Sequence, residues 1–284
     1  MKNILVTGGN GQLATCLKEV SEEQSDLNLL FVSSKQLDIT DYNAINNFFK
    51  KNDISYCINC AAYTAVDNAE NDIEAATKVN VDGARNLSKV CSLFNTILIH
   101  ISTDFVFDGE KTSLFSEEDK EIPVCVYGQT KLKGEIAVAE SWEKHIIIRT
   151  SWLYSEYGNN FLKTMLKLGA ERDKLGVVVD QIGTPTYAVD LAKVIVAFIH
   201  KESINFGTFH FSNEGVASWY DFAKSIFDIS KTKVELLPIK SESYPTPAKR
   251  PAFSVMDKSK IKKELNITIP YWRDSLKIAL KNLS

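Results

Sequence analysis

Lys2-Asn3-Ile4-Leu5-Val6-Thr7-Gly8-Gly9-Asn10-Gly11-Gln12-Leu13-Ala14 follows the initial methionine. The apolar run before Gly8 reads as a short buried parallel strand, and a glycine turn follows it directly. Gly8 and Gly11 permit positive φ and let the backbone approach a pyrophosphate closely. A helix opening at about Gln12 aims its unpaired N–H groups and positive dipole end at the same phosphates. Ala14 stands where a third glycine is usual, still small enough for a helix to pack on a strand. A glycine-rich loop alone is often only a tight turn. Strand, glycine turn and helix in succession point instead to a dinucleotide-binding unit.

Outward from this unit, strand and helix signals alternate, which predicts a parallel sheet covered on both faces. Strands are expected at Asn3–Thr7, Leu29–Val32, Ser55–Asn59, Ile97–Ser102 and His145–Arg149. Helices are expected at Gln12–Ser21, Asp41–Lys50, Asp72–Phe94 and Tyr127–Glu140. Later come Val177–Val179 and Thr208–Phe211 as strands, and Asn160–Leu168, Val189–Lys201 and Trp219–Ile229 as helices. The predicted fold class is α/β. Residues 1–150 form a doubly wound Rossmann domain that binds NAD(P) and also receives strands from about 177–187 and 205–213. Residues 151–284 form a smaller, partly interleaved α/β domain for substrate.

Ligands of such sheets bind beyond the carboxyl ends of the strands. Ser102-Thr103-Asp104 ends one strand there, and Tyr127-Gly128-Gln129-Thr130-Lys131 opens the next helix. Residues spaced like Tyr127 and Lys131 share one helix face. A phenol titrates near ~10, and a cation one turn away is expected to favour phenolate and lower that value. A hydroxyl such as Thr103 can bind the oxygen that Tyr127 protonates, as reduction of a carbonyl by hydride transfer requires. The second strand ends Phe31-Val32-Ser33-Ser34-Lys35, without the acid that usually holds an NAD ribose. Ser33 and its neighbours suit a 2′-phosphate, so NADPH is the expected cofactor, with NADH not excluded. Asp38-Ile39 lies where such chains contact adenine.

Composition excludes several classes. With 284 residues, 44% hydrophobic and 24% charged, the chain resembles an ordinary globular protein. A net charge of −3 gives no sign of a nucleic-acid partner, and no apolar run is long enough for a membrane span. Cytoplasmic localisation is expected, with monomer and homodimer both open. The five cysteines are expected as free thiols. Cys57 and Cys60 form a C-x-x-C inside a strand with no second pair, so no metal or redox site is expected. His100 and His210 sit in apolar runs and read as core residues.

Several motifs occur in order: Asn59-Cys60-Ala61-Ala62-Tyr63-Thr64-Ala65-Val66-Asp67, Ser102-Thr103-Asp104, Tyr127-Gly128-x-x-Lys131 and Arg149-Thr150-Ser151-Trp152-Leu153-Tyr154. Gly158-Asn159-Asn160-Phe161, Asp180-Gln181-x-Gly183-x-Pro185-Thr186 and Tyr244-Pro245-x-Pro247-Ala248-x-Arg250-Pro251 complete the set. Together they resemble the dTDP-4-dehydrorhamnose reductase family of the extended short-chain dehydrogenase/reductases, over nearly the whole chain. The resemblance implies hydride delivery from NADPH to C4 of dTDP-4-dehydro-6-deoxy-L-mannose, giving dTDP-L-rhamnose. Tyr127 would protonate the alkoxide, Lys131 would lower its pKa and bind the nicotinamide ribose, and Thr103 would hold the carbonyl oxygen. Gly11, Gln12, Leu13, Ala62, Tyr63 and Thr64 match positions lining the cofactor. Asp104, Trp152 and Asn160 match sugar-side positions, and Arg250 suits the diphosphate. Asn160 also reads as a helix cap.

Departures from the family pattern are informative. Phe105 stands where tyrosine is common, and Cys125 where asparagine is. Cys16 replaces an acid that bridges a metal between subunits in some members, so no such metal is expected. Phe105 also argues against the 4,6-dehydratases, which carry glutamate there. Two other readings share this pattern: reduction of a different dTDP-4-keto-6-deoxysugar, and a non-catalytic role like that of the beta subunit of methionine adenosyltransferase.

Overall fold

The structure, a computed structural model, describes residues 1–283. Its first half runs β1 (Lys2–Thr7), α1 (Gln12–Ser21), β2 (Leu27–Val32), α2 (Tyr42–Lys51), β3 (Tyr56–Asn59), α3 (Val66–Ala69) and α4 (Ile73–Thr77). A π-helical turn (Lys78–Gly83), α5 (Ala84–Leu93), β4 (Ile97–Thr103), α6 (Val126–Ser141) and β5 (His145–Thr150) follow. Beyond these come β6 (Leu153–Tyr154), α7 (Phe161–Glu171), β7 (Lys174–Val178), β8 (Ile182–Gly183), β9 (Thr186–Tyr187), α8 (Ala188–His200) and β10 (Gly207–His210). The chain ends with β11 (Ala217–Ser218), α9 (Trp219–Ser230), β12 (Glu235–Ile239), α10 (Ser259–Leu265) and α11 (Trp272–Leu283).

The main sheet is six-stranded and parallel throughout, in the order β10-β5-β4-β3-β1-β2. Strand side chains alternate between its two faces, so each β1 residue chooses a core. Ile4 and Val6 pack with Leu13 and Leu17 of α1 and with Leu191 and Ile195 of α8. Leu5 faces the other way, among Ile45 of α2, Leu87 and Val90 of α5 and Val138 of α6. A helix buried on most sides, such as α8, is apolar nearly all round. The sheet order reverses between β1 and β3, which opens a crevice beyond their carboxyl ends.

Two expectations require correction. The strands near 177–187 do not join the main sheet. β7 pairs with β12, β8 with β11 and β9 with β6, each in a separate two-stranded sheet. The edge of β5 is instead taken by β10, in register Gly207 to Ile146, so that edge offers no place for β7. The helix expected at 72–94 is also interrupted. Its π turn carries Asn80, whose side chain accepts from the Tyr63 N–H at 2.9 Å and donates to the Thr130 hydroxyl at 3.0 Å. A wider turn lets Asn80 face inward and brings its carbonyl against α6. β12, α10 and α11 are additional to the elements expected from periodicity.

Close approach of α6 to the π turn depends on Gly134, where a Cβ would lie 2.2 Å from the Asn80 carbonyl oxygen. Backbone on both sides prevents easy relief. Gly134→Ala is therefore expected to destabilise the protein by about 1–3 kcal/mol, as overpacking does. Urea unfolding should show a lower midpoint with an unchanged slope; an unchanged midpoint would refute the packing argument.

Candidate active site

A cleft of about 1020 Å³ lies beyond the carboxyl ends of β1, β3 and β4 and is bordered on its far side by Trp152, Trp219 and Arg250. Its floor is the glycine turn. Gly8 has φ +64, and a Cβ there would sit 2.8 Å from the Ala61 amide nitrogen. The Gly11 N–H donates to the Gly8 carbonyl at 2.8 Å and closes the turn. Gly11, Gln12 and Leu13 border the cleft, and α1 starts without a side-chain cap, so its first N–H groups remain for an anion. At the end of β2 the cleft is bordered by Ser33, Ser34, Asp38 and Ile39, while Lys35 is exposed and outside it. Ala62 and Thr64 border the cleft after β3; Tyr63 does not, and its hydroxyl turns outward toward Asp72 at 3.4 Å. A cradle that excludes Cβ atoms and a strand end without a carboxylate fit a phosphorylated dinucleotide.

Thr103 ends β4, and Asp104 begins a single 3-10 turn through Val106. The Thr103 hydroxyl donates to Asp104 Oδ1 at 3.2 Å and accepts from the Phe105 N–H at 3.2 Å. Asp104 is buried, and its Oδ2 has no partner among the described residues. Burial pushes its carboxyl up to about 6, with the nearby Ser254 and Thr103 hydroxyls working the other way. The first turn of α6 packs on this loop, Phe105 meeting the Tyr127 ring edge-on at 5.6 Å. Cys125, at the position where asparagine is common, caps α6 through a Gly128 N–H to Sγ contact of 3.4 Å.

Tyr127 and Lys131 both border the cleft, but their electrostatics differ from the sequence expectation. Desolvation pushes the Tyr127 phenol above its usual value; the nearby Thr103 hydroxyl works the other way, and Asp104 and Cys125 raise it further. Lys131 does not act on it in this state. The Lys131 residue is 2% exposed, and its ammonium donates to the Ile101 carbonyl at 2.7 Å. Burial lowers Lys131 to about 8, partly opposed by the negative charge of Glu135.

On the sugar side, Trp152 has φ +46 and stacks on Trp219 at 3.6 Å and 9°. Gly183 makes room, since a Cβ there would lie 2.7 Å from the Trp152 ring. Phe161 backs Trp219 at 4.6 Å. Trp219 was not expected from sequence as a site residue, although an indole in the first turn of a helix was an available signal. Arg250 borders the cleft with its guanidinium paired to Asp67 at 2.8 Å. Asn160 lies outside the cleft. It caps α7, accepting from the Lys163 N–H at 3.2 Å, and its amide donates to Gln12 Oε1 at 2.7 Å. A second donated bond, to the Ser155 carbonyl at 2.8 Å, leaves Asn160 no free donor for a sugar. Gly8→Ala combines a disfavoured φ with a backbone collision and is expected to weaken dinucleotide binding at least ~10-fold. Fluorescence titration with NADPH would measure it, and unchanged affinity would rule out the glycine turn as the phosphate cradle.

The chain matches the RmlD substrate binding domain family over residues 1–284. It is 41% identical over 287 aligned residues to a dTDP-4-dehydrorhamnose reductase of Aggregatibacter actinomycetemcomitans, covering 98% of each chain. Among solved structures, a dTDP-4-dehydrorhamnose reductase from Clostridium acetobutylicum superposes with a TM-score of 0.95 at 40% identity, covering 99% of each chain. The Bacillus anthracis dTDP-4-dehydrorhamnose reductase, solved in complex with NADP, superposes with a TM-score of 0.93 at 39% identity, covering 99% of this chain and 100% of that one. With a whole-length family match and relatives this similar around an intact Thr103, Tyr127 and Lys131, the chain belongs to the dTDP-4-dehydrorhamnose reductase family.

Proposed function

We propose that this chain reduces the C4 keto group of dTDP-4-dehydro-β-L-rhamnose to dTDP-L-rhamnose, the last step in making that sugar nucleotide, with NADPH as reductant. The observation that carries the reading is one cleft holding both the glycine turn at Gly8–Gly11 and the set Thr103, Tyr127 and Lys131. NADPH, when bound, supplies the hydride. Gly8, Gly11, Gln12 and Leu13 would hold its diphosphate, Ser33 its 2′-phosphate, and Asp38 and Ile39 its adenosine end. Ala62 and Thr64 flank the path toward the reacting centre.

Tyr127 carries its proton at every physiological pH, because burial holds the phenol neutral. Thr103 and Tyr127 would meet one carbonyl oxygen, the Thr103 hydroxyl turning from Asp104 to orient it and Tyr127 giving it a proton as charge develops. That transfer leaves a phenolate one helical turn from the Lys131 ammonium, which then offsets the new negative charge. The lysine thus acts on the charged product of proton transfer more than on the resting phenol. Trp152, held against Trp219, offers a flat apolar wall to a deoxysugar, with Asp104 at the polar end and Arg250 toward the diphosphate.

Tyr127→Phe removes the proton donor and keeps the ring. It should lower kcat/KM by roughly 10²- to 10⁴-fold with NADPH binding retained. The assay follows NADPH absorbance with the dTDP-4-keto-6-deoxysugar; a folded wild type that binds NADPH but does not oxidise it would overturn the reading. Replacing the substrate with related dTDP-4-keto-6-deoxysugars decides which sugar is preferred.

Lys131 is needed as an ammonium, and its value near 8 sets a limit on activity. Below that pH the protonated form dominates; as pH rises through it the charge is lost. The pH profile of kcat/KM should therefore fall on the alkaline side, and Lys131→Arg should move that fall upward in whatever activity it keeps. A profile flat to pH 10 would remove the charge from the mechanism.

A further inference from the structure

Asp67 and Arg250 lie 183 positions apart in sequence and meet at the cleft rim as a two-pronged ion pair. Arg250 Nη1 donates to Asp67 Oδ1 at 3.1 Å and Nη2 to Oδ2 at 2.8 Å. The same Nη1 reaches the Thr246 hydroxyl and, at 3.1 Å, the Ala248 carbonyl. Asp67 also accepts from the Ala248 N–H at 3.2 Å. One carboxylate thus holds both the guanidinium and the backbone of the Pro-rich loop that carries it.

The arrangement leaves a defined edge of the guanidinium open. Asp67 takes the inner hydrogens of Nη1 and Nη2, and the loop takes the outer hydrogen of Nη1. Nε–H and the outer Nη2–H point in the same direction and have no protein partner among the described residues. Two parallel donors of this kind match two oxygens of one phosphate group. As a stabilising device the pair is weak, because Arg250 and Asp67 side chains are 23% and 37% exposed. An orienting role accounts for its geometry better.

We propose that Asp67 is a positioning residue for the diphosphate of a sugar nucleotide, fixing Arg250 so that its open Nε–Nη2 edge faces the cleft. The inference rests on the proposed function, which supplies the diphosphate. It adds a residue that contacts no substrate and acts only through Arg250. The same short segment reaches the catalytic helix, because Glu70, just after α3, accepts from the Val126 N–H at 2.8 Å. The phosphate seat and the start of α6, beside Tyr127, therefore hang from one element.

Asp67→Asn and Asp67→Ala are compared with wild type, Arg250→Ala and the Asp67→Ala/Arg250→Ala double variant. Inhibition constants are measured for dTDP and for thymidine, together with kcat, KM and NADPH affinity. Freed to adopt other rotamers, Arg250 should lose hold of phosphate, so KM and the dTDP constant should rise about tenfold in Asp67→Ala. Thymidine inhibition, NADPH affinity and kcat should each change less than about twofold, and the double variant should be no worse than Arg250→Ala. Unchanged or tighter dTDP binding overturns the proposal, the latter by making Asp67 a competitor of phosphate. Additive losses in the double variant overturn it, and so does a parallel loss of NADPH binding, which would mark a general scaffold residue. A wild type that binds NADPH but neither dTDP nor the keto sugar overturns the functional reading instead.

Discussion

A lysine buried to 2% exposure has given up almost all its hydration, and the structure around it is arranged to keep it charged. Lys131 finds one acceptor in the Ile101 carbonyl of β4. One turn further along α6, Glu135 is also buried, bound by Arg149 of β5 through Nη2 at 2.6 Å and by the Ser102 hydroxyl. Arg149 in turn reaches Glu121 at 2.5 Å. The alternating charges Lys131, Glu135, Arg149 and Glu121 join α6 to β4, β5 and the loop before α6. Removing one member would strand another in low dielectric. This chain of charge, buried except at Glu121, fixes α6 on the strand ends and so sets Tyr127 beside Thr103.

Two further constraints shape the cleft. The glycine turn and the loop after β3 pack so closely at the reversal of sheet order that no Cβ fits at Gly8. On the opposite wall, Trp152 holds a left-handed backbone, which costs about 1–3 kcal/mol for a bulky residue. Its ring stacks flat on Trp219, and Trp219 is in turn fixed by Phe161 and by an indole N–H bond to Gln181 of 3.2 Å. The strain is thus held by packing from α7, α9 and the β8 turn together. The indole wall belongs to no one segment of sequence.

The behaviour of Tyr127 shows where sequence reasoning meets its limit. Spacing placed phenol and ammonium on one helix face, and both do border the cleft. The direction of the phenol's shift depends on desolvation and on which acceptor the lysine chooses, and neither is a property of spacing. Asn160 is a similar case. Its position in a motif allowed both a ligand and a cap, and the proximity of Gln12 and the start of α7 engages it as a cap. Arg250 was legible as a phosphate ligand from its chemistry, whereas its partner Asp67 was not, because the pair joins distant parts of the chain.

By itself, the sequence determined what depends on neighbours along the chain: the strand–glycine–helix unit, the alternation that requires a parallel sheet, and the common face of Tyr127 and Lys131. These follow from backbone geometry and periodicity, which a short window carries in full. Tertiary structure alone decided that β10 and not β7 completes the sheet, and that a π turn breaks the helix before α5. It also decided that Trp219 backs Trp152, that Asp67 holds Arg250, and that burial, not the charge on Lys131, sets the direction of the phenol's shift. Each of those depends on which segments become neighbours in space, and on how much water they exclude when they do.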